Sequence, residues 1–498
     1  MQHGAVSRMA IAIFGLWVFP VVLVHAQITT NFSGVPKVVR DVLEHTRPLQ
    51  HLRGDRLPFL ILPISGALRG IEDGMAARVL EQLSRRGIGY SVPWSPSEGD
   101  ASAAEGIRMA KLVRNAGLPI VVDATACMDG FFDGSAETLH VDDHRQTFWD
   151  ASLGSGRKMG CPLALESRIE RQRERVEFFL RAYARADLVP DLVFADWEID
   201  GPLEWNETWA HSKRCERCRA GIPGIESFRP FQRKIRELRS VLQREVLARP
   251  VLARNPKAWV GNYAVYPHDG HRYWYDYFES ERLADGIPFV ADQKARYREW
   301  VHEFEGCGYT LAMPVIYTWY PIFGWYDFGI TDYRWFYNGL KEASSAGRHT
   351  RADVPLLPFV HRSTTAPPPK PAPEVREFSP AFYQELLWHL LLRGHDGLFL
   401  WCLPDELGEE ARLAHAVYAE SLRFREFLDR GQPVAFEVPG SPEPVVSALV
   451  LGERALVRRT DFIASTRSRP VRIEIGGGFL DVEAGPAECR IMPLRGSR

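Results

Sequence analysis

The chain carries almost no net charge: 61 Lys and Arg stand against 63 Asp and Glu in 498 residues, leaving -2. A surface with no excess of one sign offers no field for a polyanion, so nucleic acid is not an expected partner. Long apolar runs are nearly missing too. Met9 to Val24 approaches the length of a bilayer span; Arg8 precedes it and Val24-His25-Ala26 closes it. Residues 1–26 therefore read as a cleaved export signal, with a secreted or periplasmic product and no membrane association beyond export. There is no P-loop, no strand-linked GxGxxG and no HExxH, which removes the common nucleotide, dinucleotide and metalloprotease centres, so no cofactor and no metal are expected.

Cysteine is scarce as well. The seven residues (Cys127, Cys161, Cys215, Cys218, Cys307, Cys402 and Cys489) allow a few disulfides in an oxidising compartment and leave at least one thiol over. His211, Cys215 and Cys218 form an HxxxCxxC cluster that can hold zinc only with a fourth ligand from elsewhere. A local disulfide or plain thiols are the expectation, and Arg219 stands where covalent haem attachment needs a histidine.

What is present is ordinary for a large globular chain, at 45% hydrophobic and 25% charged residues, and rich in rings, with 14 Trp. Strand-like apolar runs alternate with helix-like segments. The runs are Leu57–Ile64, Ile88–Val92, Leu118–Ala124, Leu192–Ala195, Ala258–Val265, Leu311–Tyr317, Val354–Val360 and Gly397–Cys402, eight in all. Met128–Pro162 and Glu207–Ile225 read as irregular. Eight strands alternating with helices predict an α/β fold, a (β/α)8 TIM barrel over residues 27–430. From Gly431 the texture changes to short strands (FEV, VSALVL, RALVRRTDF, VRIEI, FLDVEA) between Gly, Pro and Ser. Residues 431–498 are thus expected to form a small C-terminal all-β, sandwich-like domain, a structural cap because it contains no Trp.

In such a barrel the chemistry lies at the C-terminal strand ends. Those ends carry Trp94, Asp123, Asp196, Trp197, Glu198, Asp200, Asn262, Tyr263, Tyr266, Asp269, Tyr317, Trp319, Tyr320, His361, Trp401, Asp405 and Glu406. Carboxylates, hydroxyls and ring faces together suit a saccharide, because rings stack on sugar C–H faces while polar groups bond the hydroxyls. The centre of the set is Asp191-Leu-Val-Phe-Ala-Asp-Trp-Glu-Ile-Asp200. Alternation along a strand turns Asp196 and Glu198 to one side, about 7 Å apart along the chain. Neighbouring carboxyls oppose each other's ionisation, which can keep one protonated as the general acid that glycosidic cleavage requires.

The segments D-W-E at 196–198, G-N-Y-A-V-Y-P at 261–267, V-I-Y at 315–317 and G-L-F-L-W at 397–401 together resemble the family 56 glycoside hydrolases, the hyaluronidases, in the same order along the chain. Asp191, Asp196 and Glu198 resemble the D-G-x-D-x-D-x-E strand of family 18 chitinases less well, because Phe194 replaces an aspartate. Both resemblances imply substrate-assisted retaining hydrolysis, in which the sugar's own acetamide attacks the anomeric carbon. They imply that Glu198 is the acid/base and that Asp196 orients the acetamide. Tyr263 and Tyr317 would bond the acetamide and the reacting sugar, and Trp401 would floor the pocket. Asp200, Asp123, Asn262, Tyr266 and Trp319 complete the expected substrate contacts. Where the hyaluronidases continue with x-W-R-P, this chain has Ile199-Asp200-Gly201-Pro202. An Arg lost and an acid gained favour a neutral or N-acetylated oligo- or polysaccharide over a polyanion. Two alternatives stay open: a two-carboxylate glycosidase whose second acid is Asp200, Asp123 or Asp269, and a carbohydrate-binding barrel without catalysis.

Overall fold

The computed structural model describes residues 32–129, 135–152, 154, 156, 158–198, 203, 208–270, 302–318, 328–363, 377–464, 469–476 and 478–496. The expected signal at 1–26, Asp200, Trp319 and Tyr320 lie outside them, as does most of the Pro-rich stretch after Ser363. Val35–Arg498 make up one unit of the chain, and every element below belongs to it.

The first strands are β1 (Leu60–Ile61), β2 (Ser91–Pro93) and β3 (Val121–Asp123), followed by the antiparallel pair β4 (His140–Val141) and β5 (Thr147–Phe148). Then come β6 (Leu192–Ala195), β7 (Trp259–Asn262), β8 (Val315–Tyr317), β9 (Phe359–His361) and β10 (Phe399–Leu400). Apart from β4 and β5 they pair in parallel, in the orders β2-β3-β6-β7 and β1-β10-β9-β8. Parallel pairing requires crossovers, and helices supply them: Asp73–Arg85, Asp100–Asn115, Glu166–Arg185, Phe228–Gln243, Thr331–His349, Pro380–Leu392 and Leu407–Ser421. The two sheets also approach each other at their edges. Phe59 bridges Ile88 in parallel, and the Thr310 and Leu311 N–H groups both donate to Val260 O at 3.0 Å. Gly261 permits that approach, since a Cβ there would lie 2.7 Å from Leu311 O.

β6 is buried at all four positions, which is why it reads as a plain apolar run rather than an alternating one. Its Phe194 ring meets Phe399 edge-on at 4.9 Å, and Phe399 stacks on Phe359 at 4.5 Å, so aromatic rings from the two sheets fill the space between them. Asp191 fixes the start of the strand by accepting the Ile120 N–H at 2.7 Å. Asp396 does the same for Leu356 at 2.9 Å.

Two stretches expected to be irregular are ordered. Residues 208–221 form two short helices, Thr208–Arg214 and Glu216–Gly221, too brief to show a helical period in sequence, and part of Met128–Pro162 forms the β4–β5 hairpin. At the C-terminus β11 (Gln432–Pro433), β12 (Val445–Leu451), β13 (Arg454–Thr460) and β16 (Arg490–Pro493) form one antiparallel sheet, and β14 (Val471–Ile475) pairs with β15 (Gly478–Val482). FEV is not a strand, and β16 has no counterpart in the sequence expectation. Val446, Ala448, Ala455 and Val457 of the first sheet share a core with Leu480 and Val482 of the hairpin. The sheet packs on the helix Pro380–Leu392, where His389 bonds Ser447 Oγ at 2.7 Å and Thr460 Oγ1 at 2.9 Å, and Glu385 pairs with the buried Arg458.

Candidate active site

Strand register brings the expected residues to one end. Asp123 pairs with Phe194, Ala195 with Asn262, and Tyr317 with His361. One residue further on, the Tyr263 N–H donates to Ala195 O at 2.9 Å and the Trp401 N–H to Val360 O at 3.1 Å. Asp196 follows directly on β6.

The acidic side is held by Thr125. Its hydroxyl donates to Asp123 Oδ1 at 2.6 Å and accepts the Asp196 N–H at 2.7 Å, so one side chain locks the two acidic positions together. Burial pushes the Asp123 carboxyl above the ordinary carboxylate range, against the pull of its Thr125 bonds. Asp196 is pushed well above that range, first by burial and then by the charges of Glu198 and Asp123. Its Oδ1 is buried and has no hydrogen-bond partner among the described residues. A buried carboxyl without a partner favours its protonated form or an incoming donor.

The other wall is aromatic. Tyr317 stacks on Trp401 with centroids 5.5 Å apart and tilts toward Tyr263 at 6.1 Å, and Tyr263 meets Phe359 edge-on at 5.1 Å. His361 stands edge-on to Trp401 at 5.1 Å, with Nδ1 3.2 Å from Glu410 Oε1. Glu410 accepts the Arg362 and Ser363 N–H groups at 3.0 Å, which ties this buried side chain to the main chain that follows β9. Ala264, directly after Tyr263, adopts φ 58, a left-handed backbone that turns the chain away from the strand.

Three expected residues take other places. Asn262 is fully buried and its amide is engaged on both ends: Oδ1 accepts the Trp197 N–H at 3.0 Å, and Nδ2 donates to Trp197 O and to the Gln243 side-chain Oε1, both at 3.0 Å. It positions the turn between Asp196 and Glu198 instead of facing a ligand. Tyr266 lies in the core, its ring 5.0 Å from His268. Asp269 accepts the Ser345 hydroxyl at 2.7 Å. Behind Asn262 stands a polar network that the sequence reading did not contain. Arg239 lies over the Trp197 ring at 4.2 Å and pairs with the buried Glu303 at 2.7 Å; Gln243 donates to Glu303 at 2.9 Å and accepts from Tyr309 at 3.2 Å.

Two groups among the described residues bring metal-ligating atoms within 4.8 Å of one another: His140, Cys161, Cys215 and Cys218, and His361, Glu406 and Glu410. In the second, Glu410 is already occupied by main-chain N–H groups. His211, expected beside the Cys pair, instead faces Asp150, with Nε2 3.4 Å from Oδ1.

No protein-family model matches the chain, and no curated protein matches it in sequence. Among solved structures it is similar to a family 36 α-galactosidase from Geobacillus stearothermophilus, with 12% identity and a TM-score of 0.39 over 92% of this chain and 58% of that one. It is also similar to isomaltulose synthase from Klebsiella sp. LX3, with 10% identity and a TM-score of 0.42 over 88% of this chain and 99% of that one. A family 5 glycoside hydrolase variant from Streptomyces cattleya, solved with Manβ1-4GlcNAc, gives 12% identity and a TM-score of 0.37 over 78% and 83%. The chain spans about half to three fifths of the α-galactosidases it matches. These likenesses are loose in both sequence and shape.

Proposed function

We propose that the protein is an exported glycoside hydrolase, that its two parallel sheets are the halves of a (β/α)8 barrel, and that it cleaves a glycan containing an N-acetylhexosamine by substrate-assisted retaining hydrolysis. The observation that carries this reading is Asp196, with a buried carboxyl oxygen, tied through Thr125 to Asp123 and followed two residues on by Glu198; the Tyr317–Trp401 stack adds an aromatic face. A buried Asp196 oxygen without a partner among the described residues fits an acetamide N–H, and stacked rings fit a sugar face and an acetyl methyl. The resemblance to the hyaluronidases assigns the same roles to the same residues, whereas Phe194, packed on Phe399, leaves no place for the third acid of the chitinase pattern.

In this mechanism Glu198 gives its proton to the glycosidic oxygen as that bond breaks. The acetamide oxygen of the same sugar attacks the anomeric carbon and closes an oxazolinium ring, whose N–H Asp196 holds. Glu198, now a carboxylate, takes a proton from water, and the water oxygen opens the ring with net retention. A two-carboxylate reading with Asp123 as second acid is favoured by one arrangement, the Thr125 hydroxyl that bonds Asp123 and takes the Asp196 N–H, which sets Asp123 beside the Asp196–Glu198 turn.

The test is a panel assay of the purified chain and its Glu198→Gln variant on N-acetylhexosamine-containing and plain glycans, counting new reducing ends. Cleavage of the acetamido substrates alone, with turnover about 10²–10⁴-fold lower in Glu198→Gln and sugar binding retained, is the expected result. Equal cleavage of plain glycans would shift the mechanism to two carboxylates. Binding without cleavage would make the protein a carbohydrate-binding barrel.

A further inference from the structure

We propose that His140, Cys161, Cys215 and Cys218 bind one structural zinc ion, which ties together the two loop segments that follow β3 and β6. Their four ligand atoms lie within 4.8 Å of one another, and all four side chains are buried. The Cys161 and Cys218 sulfurs are 3.3 Å apart and those of Cys161 and Cys215 3.8 Å. A tetrahedron of thiolates about 2.3 Å from zinc has edges of about 3.8 Å, so the spacing is that of a coordination shell and too wide for a sulfur–sulfur bond.

His140 supplies the independent observation. It is fully buried, and neither ring nitrogen has a hydrogen-bond partner among the described residues. A buried imidazole without partners is costly, and ligation of one nitrogen satisfies that atom. The ring is held in place by stacking on Phe148 at 4.9 Å, and the Arg214 guanidinium covers the other partner of that stack at 4.6 Å. A zinc with three thiolates and one neutral imidazole carries a net negative charge, and Arg214 is the nearby cation of opposite sign.

The local fold brings the ligands in as two pairs. Cys215 sits at the junction of the helices Thr208–Arg214 and Glu216–Gly221, and Cys218 follows in the first turn of the second. The Cys161 N–H donates to Thr138 O at 2.6 Å, which sets Cys161 beside His140 on β4. Binding releases the three thiol protons to solvent and moves no electrons. All four positions are filled by protein, so the ion is structural: it braces the segment after Asp123 against the segment after Glu198.

Zinc content of the purified full chain, measured by plasma emission, is expected to be about one per chain, and growth with cobalt should give a chain with intense thiolate-to-cobalt absorption. His140→Ala and Cys218→Ser should lose the metal, whereas His211→Ala should keep it, because His211 faces Asp150. The cobalt spectrum of the unaltered chain keeps the test meaningful if a variant does not fold. A metal-free chain whose thiols all react freely, a disulfide joining two of the three cysteines, or a cobalt chain without thiolate bands would overturn the site. Loss of zinc in His211→Ala with retention in His140→Ala would overturn the ligand set.

Discussion

Asn262 holds the Trp197 peptide from both sides, taking its N–H and donating to its carbonyl, each at 3.0 Å. Trp197 is the residue between Asp196 and Glu198, so a side chain on β7 sets the aim of both carboxyls just after β6. Removing the amide leaves a buried N–H unpaired and frees that turn.

Asn262→Ala should therefore lower stability by about 1–3 kcal/mol and turnover by 10-fold or more, with KM changed little. Thermal unfolding and steady-state kinetics on the same preparation test this. A rise in KM at unchanged kcat would mean that Asn262 contacts the substrate after all.

The charge of Asp123 helps to hold the Asp196 carboxyl high. Asp123→Asn removes that repulsion while keeping an oxygen for Thr125. The folded-state shift of Asp196 then shrinks, so the limb of the pH–rate profile that follows its ionisation should move toward lower pH. Asp196→Asn should abolish the limb. A limb that stays in place in Asp123→Asn, or moves to higher pH, would show that the two carboxyls do not share a field.

The central strand was legible because four apolar residues between Asp191 and Asp196 admit few other structures, and the helices because their apolar rows repeat at helical spacing. The coupling of Asp196 to Glu198 was likewise local and readable. Contacts between distant segments were not. Thr125 meets Asp196 across 71 residues, and Asn262 meets Trp197 across 65, and no spacing rule connects either pair. The HxxxCxxC pattern points to His211 by proximity in sequence, whereas His140 reaches the cysteines through the β4–β5 hairpin, whose two-residue strands carry no periodic signal. The buried Arg239 carried one faint signal, since it falls on the row of Phe231, Ile235 and Leu242, although Gln232, Arg236, Ser240 and Gln243 are buried on the same helix.

His395 makes stability depend on pH. Its Nδ1 bonds Leu390 O at 2.9 Å, while Nε2 is buried without a partner among the described residues, so a second proton would sit unsolvated near the Arg393 guanidinium. Burial, with Arg393 adding to it, lowers the imidazole to about 4 from an ordinary 6.5. The unfolded chain then takes up this proton at a higher pH than the folded one. Its contribution is complete above pH ~6.5, falls as the pH drops, and levels off near pH ~4, a loss of about 3 kcal/mol across that window. The raised carboxyls of Asp123 and Asp196 act in the opposite sense, because the folded chain holds their protons more tightly. A comparison of variants separates the two. His395→Asn keeps a donor for Leu390 and cannot titrate, so its stability deficit against the parent at pH 7 should narrow or reverse by pH ~4.5. Denaturant titrations at the two pH values measure this, and a deficit that stays constant would place the acid sensitivity elsewhere, with His389 in its buried contact to Ser447 and Thr460 the next residue to replace.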